Sequence, residues 1–212
     1  MVNGKRHLGA VILAAGASTR LGQPKQLVRL NGETLVERAI RVAREAGAET
    51  VFVVLGANYT AIFDVLQPYQ PELRLLLNKR WAEGMGTSVA LAAAAAERHE
   101  IDDLLVLTCD QVTVTPEHLR ELVFTSHKEK VVASTYKERR GVPALFPDFS
   151  FRALQQLTGD RGARELLQGP DVAQLPLAGG EVDIDTPEDL AELNAPAPYV
   201  RKVRSTMKPW NA

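Results

Sequence analysis

The chain carries a single cysteine, Cys109, among 212 residues. That excludes an intramolecular disulfide and a cysteine zinc cluster. Its four histidines, His7, His99, His118 and His127, do not fall at the spacing of metal ligands. No charge of one sign is in excess: 25 Lys+Arg against 26 Asp+Glu leaves −1, so there is no broad basic field to hold nucleic acid. No apolar run reaches the ~20 residues that span a bilayer, and the polar, basic stretch Met1 to His7 is not followed by a signal-peptide core. No internal repeat is evident. Two common nucleotide motifs are missing as well. Gly16 to Gly22 is too wide for a Walker A loop, no Lys-Ser/Thr pair follows, and there is no Gly-x-Gly-x-x-Gly. The expectation is a cytoplasmic enzyme without nucleic-acid or membrane partners.

What is present begins with the apolar run Ala10-Val11-Ile12-Leu13. It breaks into Ala14-Ala15-Gly16-Ala17-Ser18-Thr19-Arg20-Leu21-Gly22-Gln23-Pro24-Lys25. Small side chains let backbone N–H groups approach phosphoryl oxygens, and Arg20 and Lys25 can neutralise charge that develops on them during transfer. The loop reads as a phosphate site, with a glycine-rich strand-to-helix turn as the plainer alternative.

Apolar runs of strand length alternate with helical patterns: 9–14 then 33–46, 50–55 then 58–66, 73–77 then 87–98, and 103–108 then 116–126. Runs such as Val51-Phe52-Val53-Val54-Leu55 are continuously apolar, as parallel strands covered on both faces are. The predicted fold is α/β: a Rossmann-like three-layer α/β/α arrangement with a mostly parallel central sheet. Thr115-Pro116-Glu117 supplies an N-cap and a first-turn proline, and Ala92 to Ala96 reads as a tight helix–sheet contact. Beyond residue 128 the pattern predicts strands near 130–135 and 142–146, helices over 148–157 and 161–168, and strands near 172–176 and 181–184. A helix capped by Asp185 or Thr186 follows, with Pro187 in its first turn. One domain is expected over 1–194, with a nucleotide half at about 8–127, an acceptor half at about 128–194, and a tail at 195–212 behind Ala195-Pro196-Ala197-Pro198.

Asp110 follows the strand 104–107 and precedes a capped helix, at the edge where open α/β sheets bind ligands. Mg²⁺ there needs one or two carboxylates beside phosphate oxygens and water. Asp183 is the natural second carboxylate, and strand alternation puts Asp183 and Asp185 on one face with Ile184 on the other, so either can serve. Asn78 to Ser88 runs from a strand end into a helix whose first N–H groups, with Thr87 or Ser88, suit a base edge, a ribose or a phosphate. Ordinary N-capping explains the hydroxyls as well.

These pieces, taken with Glu83-Gly84-Met85-Gly86-x-Ser88, Asp110-Gln111, Gly141-Val142-Pro143-Ala144-Leu145-Phe146, Gly159-Asp160-x-Gly162-Ala163-Arg164 and Asp183-Ile184-Asp185-Thr186-Pro187-Glu188-Asp189, resemble the MobA-like nucleotidyltransferases from about residue 8 to 193. Within that group the chain is most similar to molybdenum cofactor cytidylyltransferases. The resemblance implies a nucleotide-diphospho-sugar transferase-like fold and transfer of CMP from CTP to the phosphate of molybdopterin, with Mg²⁺ and release of pyrophosphate. It implies that Leu13, Ala14, Ala15, Gly16, Lys25, Asn78 and Ser88 hold the nucleotide. Arg20, Lys25 and Asp110 would be catalytic, with Asp110 and Asp183 on the metal. Gly141, Pro143, Arg161 and Arg164 would face the acceptor, and a molybdenum hydroxylase would receive the product.

Members that use CTP have Ala-Ala-Gly where guanylyltransferases have Ala-Gly-Gly, and this chain has Ala14-Ala15-Gly16. An added Cβ crowds a purine more than a pyrimidine. The chain departs from the family's pattern at Cys109, usually Gly, and at Val112, often Pro. Cys109 is read as a small packing residue rather than a reactive thiol. The alternatives are GTP as donor, another phosphorylated metabolite as acceptor, or a non-catalytic nucleotide-binding partner of a molybdoenzyme.

Overall fold

The computed structural model describes residues 6–127, 129–160 and 163–194. Its elements in chain order are β1 (Leu8–Ala14), β2 (Arg29–Leu30), β3 (Glu33–Thr34), α1 (Leu35–Glu45), β4 (Thr50–Leu55), α2 (Tyr59–Leu66), β5 (Leu73–Leu77) and α3 (Met85–Arg98). There follow β6 (Asp103–Thr108), α4 (Pro116–Ser126), β7 (Val132–Tyr136), β8 (Arg139–Pro147), α5 (Phe151–Leu154), α6 (Arg164–Leu167), β9 (Ala173–Pro176) and α7 (Pro187–Asn194). Seven strands form one sheet in the order β5-β4-β1-β6-β8-β7-β9. The first four run parallel, β8 enters antiparallel to both β6 and β7, and β9 runs parallel to β7. The predicted mostly parallel sheet is therefore present.

Each central strand is apolar throughout because successive residues feed opposite faces. Ile12, Val53, Leu105 and Leu107 pack with α1 and α4 on one side, whereas Val11, Phe52, Leu104 and Val106 pack with α3 and α5 on the other. Ala92, Ala93, Ala95 and Ala96 of α3 are buried against that second face, the tight contact that small side chains permit.

Three of the helices start at side-chain caps. Thr34 and Glu37 form a reciprocal capping box on α1, Thr115 accepts from the His118 N–H on α4, and Thr186 accepts from the Asp189 N–H on α7.

Three local expectations are corrected. The helix predicted over 33–46 begins at Leu35, because Asn31-Gly32, both at positive φ, close a two-residue hairpin between β2 and β3. The segment 181–184 is no strand: one antiparallel bridge joins Gln111 to Asp183. The helix predicted over 148–157 is a 3₁₀ turn at Asp148–Ser150 followed by the short α5. The helix predicted over 161–168 is described only as α6, and Arg161 and the tail 195–212 lie outside the described residues.

The register sets the site. Leu13 pairs with Thr108 and Ala14 with Leu55, so the carboxyl ends of β1, β4 and β6 are flush and open together into the loops that follow them.

Candidate active site

A cleft of about 400 Å³ lies at those strand ends. Leu13, Ala15, Gly16 and Ala17 form its floor, Trp81, Gly84, Met85 and Ser88 one wall, and Lys25, Thr108, Asp110 and Asp160 also line it. Ala14 faces away, into the packing of α1 and the sheet, and contributes only its main chain.

The first loop is held in shape from below. Gln26 is almost fully buried, and its Nε2 donates to the carbonyls of Ala14 and Gly16 at 3.0 and 2.9 Å. Ser18, at φ 55°, accepts from the Lys25 N–H at 3.1 Å and so fixes where the lysine leaves the backbone. Gln26 has no signal in the sequence beyond being a lone amide behind the cation, because its partners exist only once the loop folds.

The loop aims both cations at carboxylates. Lys25 Nζ bonds Asp110 and also Asp185, the latter at 3.0 Å, while the mostly exposed Arg20 reaches Asp185 at 2.7 Å. Burial pulls the Lys25 ammonium toward neutrality, but Asp110 and Asp185 outweigh it and hold the group above the ordinary lysine value. Asp183 completes the group. Burial first, then the negative charges of Asp110 and Asp185, push its carboxyl up to about 6. Asp110 is buried, and its Oδ1 has no hydrogen-bond partner. The structure thus brings Arg20, Lys25, Asp110, Asp183 and Asp185 together, with Asp185 rather than Asp183 bound to the cations.

A hard divalent cation fits this donor set. An orphaned carboxylate oxygen points into a site where an ammonium already bridges two carboxylates, and Mg²⁺ takes one or two carboxylates plus phosphate oxygens and water. Among the described residues no three His, Cys, Asp or Glu form a ready-made cage, which accords with an ion that arrives with phosphates. Cys109 is fully buried beside Asp110, and burial with that charge pushes its thiol up to about 12, so it stays protonated and packs.

The second wall comes from α3. Gly84, at φ 118°, and Gly86 lie so close to Thr158, Gly159 and Asp160 that any side chain would collide, and Gly86 N–H donates to Gly159 O at 2.8 Å. That contact docks the Gly159-Asp160 motif over the cleft. Asn78 sits behind the wall, with Nδ2 donating to Thr87 and Ser88 hydroxyls at 2.8 and 2.9 Å. It positions Ser88, whose own proton is left to donate, and does not line the cleft.

Of the residues expected to face the acceptor, Gly141 is bare because the Tyr136 hydroxyl occupies the space where its Cβ would be. Pro143 is buried and its carbonyl accepts from Ser134 Oγ at 2.5 Å. Arg164 is exposed on α6, and its charge is felt at Tyr136, whose phenol burial and Asp183 push upward. Trp81 lines the cleft, and nothing in its local sequence pattern marks it as a pocket wall.

A family model of the MobA-like NTP transferase domain matches residues 10–176. The chain is 34% identical over 199 residues to nicotine blue oxidoreductase of Paenarthrobacter nicotinovorans, covering 86% of this chain and 94% of that one. It is 29% identical over 196 residues to a probable molybdenum cofactor guanylyltransferase of Nostoc sp., covering 87% and 89%. Among solved structures, Rv0371c from Mycobacterium tuberculosis superposes with a TM-score of 0.74 at 25% identity, covering 88% and 97%. The same protein has been solved in complex with manganese, with a TM-score of 0.72. Among the described residues no helix is long and apolar enough to cross a membrane.

Proposed function

The chain belongs to the MobA-like NTP transferase family, a family of nucleotidyltransferases, and from that premise we propose that it moves CMP from CTP to the phosphate of a molybdopterin-type acceptor. Pyrophosphate leaves, Mg²⁺ assists, and a molybdenum hydroxylase receives the product. The observation that carries this reading is the ammonium of Lys25 lodged between Asp110 and Asp185, with a free Asp110 oxygen beside it. A protein that only bound a nucleotide would have little use for transition-state cations facing a carboxylate cluster.

The acceptor phosphate has a second pKa of about 6, so it is largely ionised near neutral pH and needs alignment and shielding more than a general base. One of its oxygens attacks the α-phosphorus, and the bond to the β-phosphate oxygen breaks. Lys25 and Arg20 leave Asp185 and donate to the phosphoryl oxygens on which charge grows. Asp110 and Asp183 would hold Mg²⁺, which when bound neutralises charge on the triphosphate. Ser88 donates to the nucleotide, the floor of Leu13, Ala15 and Gly16 carries it, and Trp81 offers the base a flat face. Gly141, Pro143 and Arg164, with Arg161, flank the acceptor, where guanidinium groups suit an oxyanion or a flat ring.

Ala15 supports CTP: its methyl lines the cleft, where guanylyltransferases have none. One methyl discriminates by only ~1–3 kcal/mol. GTP is the second reading, favoured by the name of the Nostoc relative. Pyrophosphate release, measured with CTP and GTP in parallel with and without molybdopterin, tests both. A signal with CTP and acceptor supports the proposal, and a signal with GTP alone reverses the base. No release with either nucleotide, or full turnover in Asp110→Asn, rejects the catalytic assignment.

A further inference from the structure

Gln111 follows Asp110 directly and is almost fully buried, yet every polar atom of its side chain has a neighbour. Its Nε2 donates to the carbonyls of Val142, in β8, and Gly180 at 2.9 and 3.1 Å, and lies 3.4 Å from the Tyr136 hydroxyl, in β7. Thr108 Oγ1, on the cleft wall, donates to its Oε1 at 3.3 Å. Its main chain makes the one bridge that pairs with Asp183. A single residue thus ties the end of β6 to the acceptor-side strands and to the turn that delivers the second carboxylate.

Among the described residues the stretch 181–184 pairs with the sheet through that one bridge, and the Gln111 amide grips Gly180 as well, so both contacts that bring this stretch to the residue beside Asp110 belong to Gln111. We propose that Gln111 is a positioning residue that sets the Asp110–Asp183 separation for a divalent cation. This rests on the metal reading above and adds to it which residue tunes the site. Two carboxylates carried by segments far apart in sequence repel one another, and a buried amide that grips both segments opposes that repulsion. Residues that orient ligands from behind typically change metal affinity by 10–100-fold when removed.

The test uses Mn²⁺ alone, titrated into the whole chain and followed by the electron paramagnetic resonance of the free ion. Gln111→Met keeps the length and removes both donors. It is expected to weaken Mn²⁺ binding by roughly tenfold or more, and raising Mn²⁺ is expected to restore turnover, which a folding defect would not allow. Thr113→Val removes the bond from Thr113 Oγ1 to Gly179 O (2.9 Å), loosening the same turn without touching the bridge. Its affinity is expected to stay within about twofold of wild type. Equal losses in the two variants, or no loss in Gln111→Met, overturn the proposal. If Gln111→Met does not fold, Thr108→Val frees the carbonyl end of the amide; a loss of about threefold supports the proposal and wild-type affinity overturns it. A wild-type chain that binds no Mn²⁺ even when a non-hydrolysable CTP analogue is added defeats the metal reading itself, and is told apart because the variants then have nothing to lose; if the analogue is needed, the same variants are compared in its presence.

Discussion

Lys25→Ala separates the two duties that the structure gives one ammonium. In the protein without ligand, Lys25 neutralises a carboxylate group; in the reaction it shields phosphates. Side-chain exposure is 21% for Lys25, 10% for Asp110 and 31% for Asp185, so the pairs are mostly, not fully, withdrawn from water. Removing one partner of a buried pair costs about 3–5 kcal/mol, and solvent screening at this exposure reduces that to about 2–3 kcal/mol. For a chain of this size each kcal/mol moves the melting midpoint by about 2–4 °C, so Lys25→Ala is expected to melt about 4–12 °C below wild type in chelator-treated buffer. Mn²⁺ at a hundredfold excess over its Kd stabilises by about 2.7 kcal/mol, enough to recover most of the deficit. Turnover is not recovered, because losing a donor to a charged transition state typically costs about 10²–10³-fold. Acidification also narrows the gap. Asp183 already has a carboxyl raised to about 6, and Lys25 is among the groups that hold it down, so without Lys25 it binds a proton more readily in the folded state and the repulsion is relieved as pH falls toward 6. Thermal melts with chelator, with Mn²⁺ and at two pH values read all of this. If the chelator-treated variant melts with wild type, or if Mn²⁺ raises both proteins equally, the ammonium does not hold the place of a cation and the reasoning is wrong.

Two further outcomes follow from packing and from titration. Gly86→Ala should gain up to about 1 kcal/mol of helix propensity, but its Cβ would sit 2.7 Å from Thr158 O. Displacing the Gly159 carbonyl strands the Gly86 N–H at about 1–3 kcal/mol, so urea denaturation should show a net loss. Equal or higher stability would mean that 158–160 is not docked over the cleft. His118 is buried, with Nε2 2.8 Å from Ser134 Oγ, and burial holds its pKa below the ordinary imidazole value. The unfolded chain therefore binds the extra proton, and stability should fall as pH drops through about 6.5, levelling once the folded value is passed. Asp183 contributes the opposite slope, so the comparison is between wild type and His118→Gln, which should flatten the acid-side loss. A variant with the same pH profile as wild type would remove His118 from the account.

How much was legible in the chain depended on whether a feature is local. Apolar runs and caps are local, and β1, β4, β6, α1 and α4 lie within a residue or two of where periodicity, Thr115 and Pro116 place them. The β2–β3 hairpin was local too, since Asn31-Gly32 is a hairpin turn, but strands of two residues carry no periodicity to announce themselves. The bridge at Asp183 was not local: the apolar-flanked acids read as a strand, whereas their partner is one residue 72 positions earlier and no ladder follows. The alternation still held, burying Ile184 and leaving Asp183 and Asp185 with Asp110. Gln26, Gln111 and Trp81 were illegible as contributors for the same reason, because each acts through contacts that exist only after the sheet is built.

The charges of the assembled site argue for the order in which its ligands arrive. Arg20 and Lys25 bring two positive charges and Asp110, Asp183 and Asp185 three negative ones, a balance of −1 before any nucleotide binds. A triphosphate carrying about −4 would meet that surplus together with the carboxylate of Asp160 on the opposite wall, and like charges at this range oppose binding. Releasing Arg20 and Lys25 to the phosphates makes matters worse for the acids, since it strips Asp110 and Asp185 of their counter-ions. Both deficits would vanish together if a divalent cation accompanied the nucleotide, because Asp110 and Asp183 would hold it and its charge would offset the acids that the two side chains leave. Until the nucleotide binds, the ion pairs of Lys25 and Arg20 offset the charge of Asp110 and Asp185 and so keep these acids together beside Asp183.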